Sequence, residues 1–256
     1  MQILHPFGRI LHVNGPPGRV YTDTVCLAAL LLYRESRREI KQLSEIEHRD
    51  PEELFFDAEF TQFIEHRLAG HHHHNPKLAT LLSKLEFRTL MILPSPSIAF
   101  EHLITSSKQI DFVITANLIE FYRDWLVAVQ LCRQNPNTQV IQSRQACEEP
   151  IAVARALLRL KMITEELSAS EIADLHQAAK KMTPLMSRSK YGRGYSELEE
   201  TRCYGADEQA VCAFLTEFPE GPSLIAHYED LALCADAGPK ASLPGQNRDL
   251  SAADNS

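Results

Sequence analysis

Asp50-Pro51-Glu52-Glu53-Leu54-Phe55-Phe56-Asp57-Ala58-Glu59-Phe60-Thr61-Gln62-Phe63-Ile64-Glu65-His66-Arg67-Leu68-Ala69-Gly70 reads as one helix from start to stop. Asp50 can cap, Pro51 suits the first helical position, and Glu53 completes a capping box. Phe56, Phe60, Phe63, Ile64 and Arg67 then recur at helical spacing, and Gly70 is a natural terminator.

The same reading extends in both directions. Residues 1 to 21 alternate weakly, and Ile10-Leu11-His12-Val13 is the best strand candidate before the Asn14-Gly15-Pro16-Pro17-Gly18 turn. From Thr22 the pattern is helical. Asn75-Pro76 opens a helix with Leu78, Leu81, Leu82 and Leu85 on one face, and Leu93-Pro94-Ser95-Pro96 breaks it. The next stripe is Ile110, Ile114, Leu118, Phe121, Trp125 and Val129, stopping near Asn135-Pro136. Pro150 opens the stripe Ile151, Ala154, Leu157 and Leu158, and Ser168-Ala169-Ser170-Glu171 resembles a further capping box. The expected class is mainly α: a multi-helix globular domain with a small N-terminal β element. Residues 1–182 form the helical domain and 183–205 a mobile basic loop. A helical pair at 206–235 packs on the main domain, and 236–256 is a disordered tail.

Composition bounds the function. The 256 residues carry a formal charge of −8, which disfavours nonspecific binding of nucleic acid or anionic membrane. No apolar run approaches the ~20 residues of a bilayer span, and the first residues do not read as a signal peptide. The 6 cysteines include no Cys-x-x-Cys pair, a pattern of reduced thiols in a cytoplasm. Glycine-rich nucleotide cradles of the dinucleotide or Walker type are absent from the sequence. The Arg188–Tyr195 segment, with Tyr191 and Tyr195 among its basic residues, is the only candidate nucleic-acid contact.

Chemistry concentrates at the end of the first helix. His66 and His71-His72-His73-His74 are five of the 11 histidines, and imidazole is both a metal ligand and a proton carrier near neutrality. Side chains five apart on a helix diverge by ~140°, so His66 and His71 share a site only if the helix breaks at Gly70. His71 and His74 lie ~60° apart on a continuous helix and form the better pair. Glu101 and Asp111 are the carboxylates that could close a zinc shell, and Glu65 is the nearest candidate base.

Several segments in order resemble the gluzincin metallopeptidases of the β-lactam sensor-transducer type. Arg9-Ile10-Leu11-His12-Val13-Asn14 is similar to their strand–turn segment, and Asp50-Pro51-Glu52-Glu53-Leu54 to their acidic helix start. Glu65 through Asn75 is similar to the metal helix, Leu78 to Leu85 to the next helix, Lys108-Gln109-Ile110-Asp111 to the carboxylate helix, and Glu149 to Leu160 to a helix further on. The resemblance spans residues 9 to 160 and implies zinc or another divalent metal. The chain departs from it decisively. The spacing His66-x-x-x-x-His71 is one residue too long, Arg67 stands where the family has its catalytic Glu, and the membrane helices are missing. The expectation is therefore a non-proteolytic, zincin-like pseudoenzyme that acts by binding a protein partner. The alternative is a metal-dependent hydrolase with a rearranged histidine site.

Overall fold

The computed structural model describes residues 10–15, 19–39, 53–54, 56–72, 76–85, 87–97, 99, 112–191 and 208–236. Its order is β1 (Leu11–Gly15), α1 (Arg19–Glu39), α2 (Ala58–Arg67), β2 (Leu68–His72), α3 (Pro76–Lys84), β3 (Thr89–Leu93), α4 (Phe112–Cys132), β4 (Thr138–Gln142), α5 (Ser143–Glu148), α6 (Ile151–Arg159), α7 (Ala169–Tyr191), α8 (Glu208–Thr216) and α9 (Gly221–Asp236). Helix dominates, as the stripes predict. The β component, however, is not confined to the N-terminus. Four strands pair in the order β2-β1-β3-β4, every pairing parallel.

The sheet is covered on both faces, as parallel sheets are. Leu11, Val13, Leu90 and Ile92 join a core with α1, α5, α6 and α7, whereas Met91 and Leu93 join a second core with α4, α8 and α9. Alternate residues of β3 thus feed opposite layers, which is why Thr89–Leu93 is buried along its whole length. The arrangement is a three-layer α/β/α stack. No described helix is long and apolar enough to cross a membrane.

Helix α1 is the hub of the first layer. Its residues from Val25 to Tyr33 are all buried, as expected of a helix apolar on every side. Buried Thr183 ties α7 to it: its Oγ1 donates to Asp23 Oδ1 at 2.5 Å, with the Ala179 carbonyl an alternative acceptor at 3.1 Å. That anchor lies one residue before Pro184, and helix α7 continues through the proline to Tyr191. Of the basic loop expected over 183–205, the part up to Tyr191 is helical, and residues 192–205, with Arg193 and Tyr195, lie outside the described residues. The expected tail, from residue 237 onward, lies outside them too.

One helix start also differs from the sequence reading. Helix α2 is capped by Asp57, whose Oδ1 accepts from the backbone N–H groups of Glu59 (2.7 Å) and Phe60 (3.2 Å). It ends at Arg67, with Leu68 already extended. Asp50 to Glu52 lie outside the described residues, and Phe56, expected on the buried stripe, is 71% exposed. By contrast, the Ser168–Glu171 capping box forms as read. Glu171 accepts from Ser168 N–H (2.8 Å) and Oγ (2.7 Å), while Glu171 N–H donates to Ser168 Oγ (3.3 Å).

Candidate functional site at the carboxyl edge of the sheet

The strand order fixes where a site can form. From β1 the chain crosses to β2 on one side, then returns past β1 to β3 on the other. The direction of winding therefore reverses between β1 and β3. At such a reversal the connections leave the carboxyl ends of the two strands in opposite directions and open a crevice between them.

The carboxyl end of β1 is Asn14-Gly15. Asn14 stands in register with Met91 on one side and His71 on the other, and Gly15 with His72. The tight packing here explains the glycine. A Cβ on Gly15 would lie 3.0 Å from Ile92 Cβ and 3.2 Å from Tyr21 Cδ2. Asn14 is 1% exposed, and its Nδ2 has no hydrogen-bond partner. A buried donor without a partner costs about 1–3 kcal/mol, so its persistence needs a reason. Trp125 Nε1 and Thr138 Oγ1 are also buried without partners, but Thr138 begins β4 at the opposite edge and Trp125 sits in the core under α4. Among the described residues, the Asn14 amide is the one of these that stands at the winding reversal.

The neighbouring strand ends supply hydroxyls. Beyond β3, Ser95 N–H donates to Ser143 Oγ at 3.0 Å, and the Ser95 and Ser97 hydroxyls are 2.9 Å apart. All three serines are buried: Ser95 3%, Ser97 2% and Ser143 0% exposed. Ser143 follows β4 directly, and Gln142 Nε2 donates to the Ala232 carbonyl of α9 at 3.0 Å, closing the β4 side. Helix α1 opens at Arg19, four residues after the end of β1, with Pro16-Pro17-Gly18 between them. A long helix directed from this edge presents the positive end of its dipole.

The histidine segment is divided by the fold. His66 is exposed near the end of α2, with Nδ1 2.7 Å from the Gln62 carbonyl. His71 and His72 are the last two residues of β2. His66 thus precedes the strand and His71 lies near its far end, ~10 Å further along at the rise of a β-strand. The break in the helix, at Arg67 rather than Gly70, separates these two histidines instead of uniting them. With His71 on a strand, the helical-turn argument for pairing it with His74 does not apply. His74, Glu101 and Asp111 lie outside the described residues, and Glu65 is exposed on α2. Among the described residues no group of three or more His, Cys, Asp or Glu side chains could hold a metal ion.

Gly70, read as a helix stop, has a different role. A Cβ there would lie 2.8 Å from the Tyr21 hydroxyl, which donates to the Val13 carbonyl at 3.2 Å. Glycine lets α1 close on the β1–β2 pair. Sequence reasoning missed Asn14, Ser95, Ser97 and Ser143 because each is an ordinary turn residue until the topology brings strand ends together. One signal was available: a strand, a Gly-Pro-Pro-Gly turn and a long apolar helix in succession. Neither a known family, nor a curated protein, nor a solved structure matches this chain.

Proposed function

We propose that this chain is a ligand-binding α/β domain that takes a small anion, a phosphate- or sulfate-bearing molecule, at the carboxyl edge between β1 and β3. The observation that carries the reading is the unpartnered, buried Asn14 amide at the point where the winding reverses. The start of α1 supports the charge preference, since helix N-termini offer free N–H groups and a positive field to an anion. The serines beyond β3 and β4 support a polar ligand. The net charge of −8 gives no long-range attraction for an anion, so binding rests on short-range donors and depends weakly on salt.

Calorimetric titration with inorganic phosphate, sulfate and a nucleoside diphosphate tests this. Saturable binding by the wild type, lost in Asn14→Leu with the fold retained, is the expected result. An apolar residue of similar size removes the orphan donor, so the variant is neutral or stabilising in the absence of ligand. Equal affinity in the variant, or no binding of any anion by the wild type, would refute the reading.

A second reading keeps the metal. The backbone register of β2, in which His71 pairs with Asn14 and His72 with Gly15, supports it. Zinc that survives dialysis and is lost in the His71→Ala, His72→Ala double variant would favour it. That outcome would support the metal-dependent alternative over simple anion capture.

A further inference from the structure

The carboxyl ends of the strands do not all offer the same chemistry. Beyond β3 the chain runs Leu93-Pro94-Ser95-Pro96-Ser97. Proline has no N–H, so Ser95 supplies the one backbone donor of residues 94–96, and that donor is spent on Ser143 Oγ at 3.0 Å. No backbone N–H of those three residues is left to cradle a phosphate. Residues 93–97 and 142–143 carry no charged side chain either. Burying an oxyanion there, with neither charge nor backbone donor to compensate, is costly. The β1 side differs, because the positive end of the α1 dipole opens beside it.

Ser143 has hydrogen-bonding capacity to spare. Its Oγ accepts from Ser95, yet among the described residues its own hydroxyl hydrogen meets no acceptor. The residue is 0% exposed, so bulk water does not take that hydrogen. The Ser95 and Ser97 hydroxyls, 2.9 Å apart, are bonded to each other. A hydroxyl both donates and accepts, so a neutral ligand hydroxyl matches this trio. Distance separates it from the anion site. Strand β3 lies between β1 and β4, which sets Asn14 and Ser143 two strand spacings apart, ~10 Å. A single tetrahedral anion held at Asn14 does not reach that far.

We propose, resting on the anion site between β1 and β3, that the occupant is a sugar phosphate, with its phosphate at Asn14 and its hydroxyls along Ser95, Ser97 and Ser143. The two ends of such a molecule match the two chemistries of the edge. The phosphate takes the unpartnered Asn14 amide and the field of α1. A sugar hydroxyl accepts the Ser143 hydrogen and donates to a serine oxygen. A free sugar phosphate and the ribose-phosphate part of a nucleotide share this chemistry. Asn14 then decides whether a phosphate binds at all, and Ser143 selects among phosphate esters. Loss of one neutral hydrogen bond weakens binding about three- to tenfold.

Calorimetric titration of the full chain with ribose 5-phosphate, n-pentyl phosphate, adenosine monophosphate and inorganic phosphate tests this. The wild type is expected to bind ribose 5-phosphate at least about tenfold more tightly than inorganic phosphate or n-pentyl phosphate, which keeps the carbon count and lacks the hydroxyls. Adenosine monophosphate separates the two sources: affinity at least equal to that of ribose 5-phosphate supports a nucleotide, and lower affinity a free sugar phosphate. Ser143→Ala is expected to weaken ribose 5-phosphate about three- to tenfold and to leave inorganic phosphate unchanged. The ligand comparison needs only the wild type, so it decides even if Ser143→Ala, which strips the Ser95 N–H of its acceptor, does not fold. Inorganic phosphate bound as tightly as ribose 5-phosphate would overturn the sugar assignment and leave the anion site standing. An equal loss of both ligands in Ser143→Ala would overturn the selecting role of Ser143. Binding of none of the four would remove the anion site and the sugar assignment together.

Discussion

The two faces of the sheet are finished differently. On one, α1 is enclosed by the sheet, α2, α5, α6 and α7, with nine consecutive residues, Val25 to Tyr33, all buried. On the other, α3 and α4 bury one side of each helix and leave Leu81, Leu85, Val127 and Leu131 between 44% and 56% exposed. Both layers hold the strands by the same means, alternating apolar side chains. Among the described residues, only the first encloses its helix on every side. The first layer is packed all round, and the second leaves these apolar side chains at the surface.

The sharpest way to break that contrast is a pair of leucine truncations. Leu32 is 0% exposed, and Leu32→Ala is expected to cost about 2–5 kcal/mol through lost burial and a residual cavity. Leu131→Ala is expected to cost less than about 1 kcal/mol, since half its surface is already wet. Urea denaturation of both reads the difference. Equal losses would mean that the two faces contribute alike.

Gly70→Ala sharpens the enclosed side. The added methyl meets the Tyr21 hydroxyl at 2.8 Å, so it should cost about 1–3 kcal/mol by forcing apart a packed contact. Tyr21→Phe removes the obstructing oxygen, and the double variant should recover part of the loss. Additive losses in a double-mutant cycle would show that the contact does not limit packing.

A smaller, pH-dependent effect belongs to the same layer. His176 is buried on α7, and burial, with Lys180 adding to it, lowers its pKa from 6.5 to about 4. The folded state holds the imidazole neutral while the unfolded chain takes up a proton near pH 6.5. The stability linked to this group is therefore fully present above about pH 6.5 and is lost as pH falls towards 4, by about 3 kcal/mol. His176→Leu should flatten the stability curve in that window. Glu171, lowered to about 2 mainly by hydrogen bonds from Arg34 and Ser168, acts in a separate window. Its contribution is present above about pH 4.5 and is lost as pH falls towards 2, so the two groups can be told apart. An unchanged slope between pH 6.5 and 4 in His176→Leu would remove the buried histidine from the explanation.

What the sequence declared and what it concealed follow the range of the interactions involved. Pro76, Pro150 and the Ser168–Glu171 box marked helix starts through local chemistry, and the fold uses all three. The strands after β1 depended on distant partners. Leu68-Ala69-Gly70-His71-His72 has no β-branched residue and no alternation, and it is a strand because β1 pairs with it and Tyr21 needs the space at Gly70. Thr89–Leu93 is apolar without a period because both faces are buried, so it read as the end of a leucine helix. The site was hidden for the same reason. The histidines stood out by composition, whereas Asn14, Ser95 and Ser143 acquire meaning only where strand ends meet.

The most direct test of anion binding at the strand-order reversal follows the side-chain amide of Asn14 itself. In a two-dimensional ¹⁵N–¹H spectrum, the Asn14 Nδ2 resonance, assigned by its disappearance in Asn14→Leu, is tracked while inorganic phosphate is added at constant ionic strength. The expected result is a saturable shift of that resonance, with the Gly15 amide moving along the same binding curve. An Asn14 signal that stays in place up to saturating phosphate, while the remainder of the spectrum is unchanged or moves elsewhere, would contradict it.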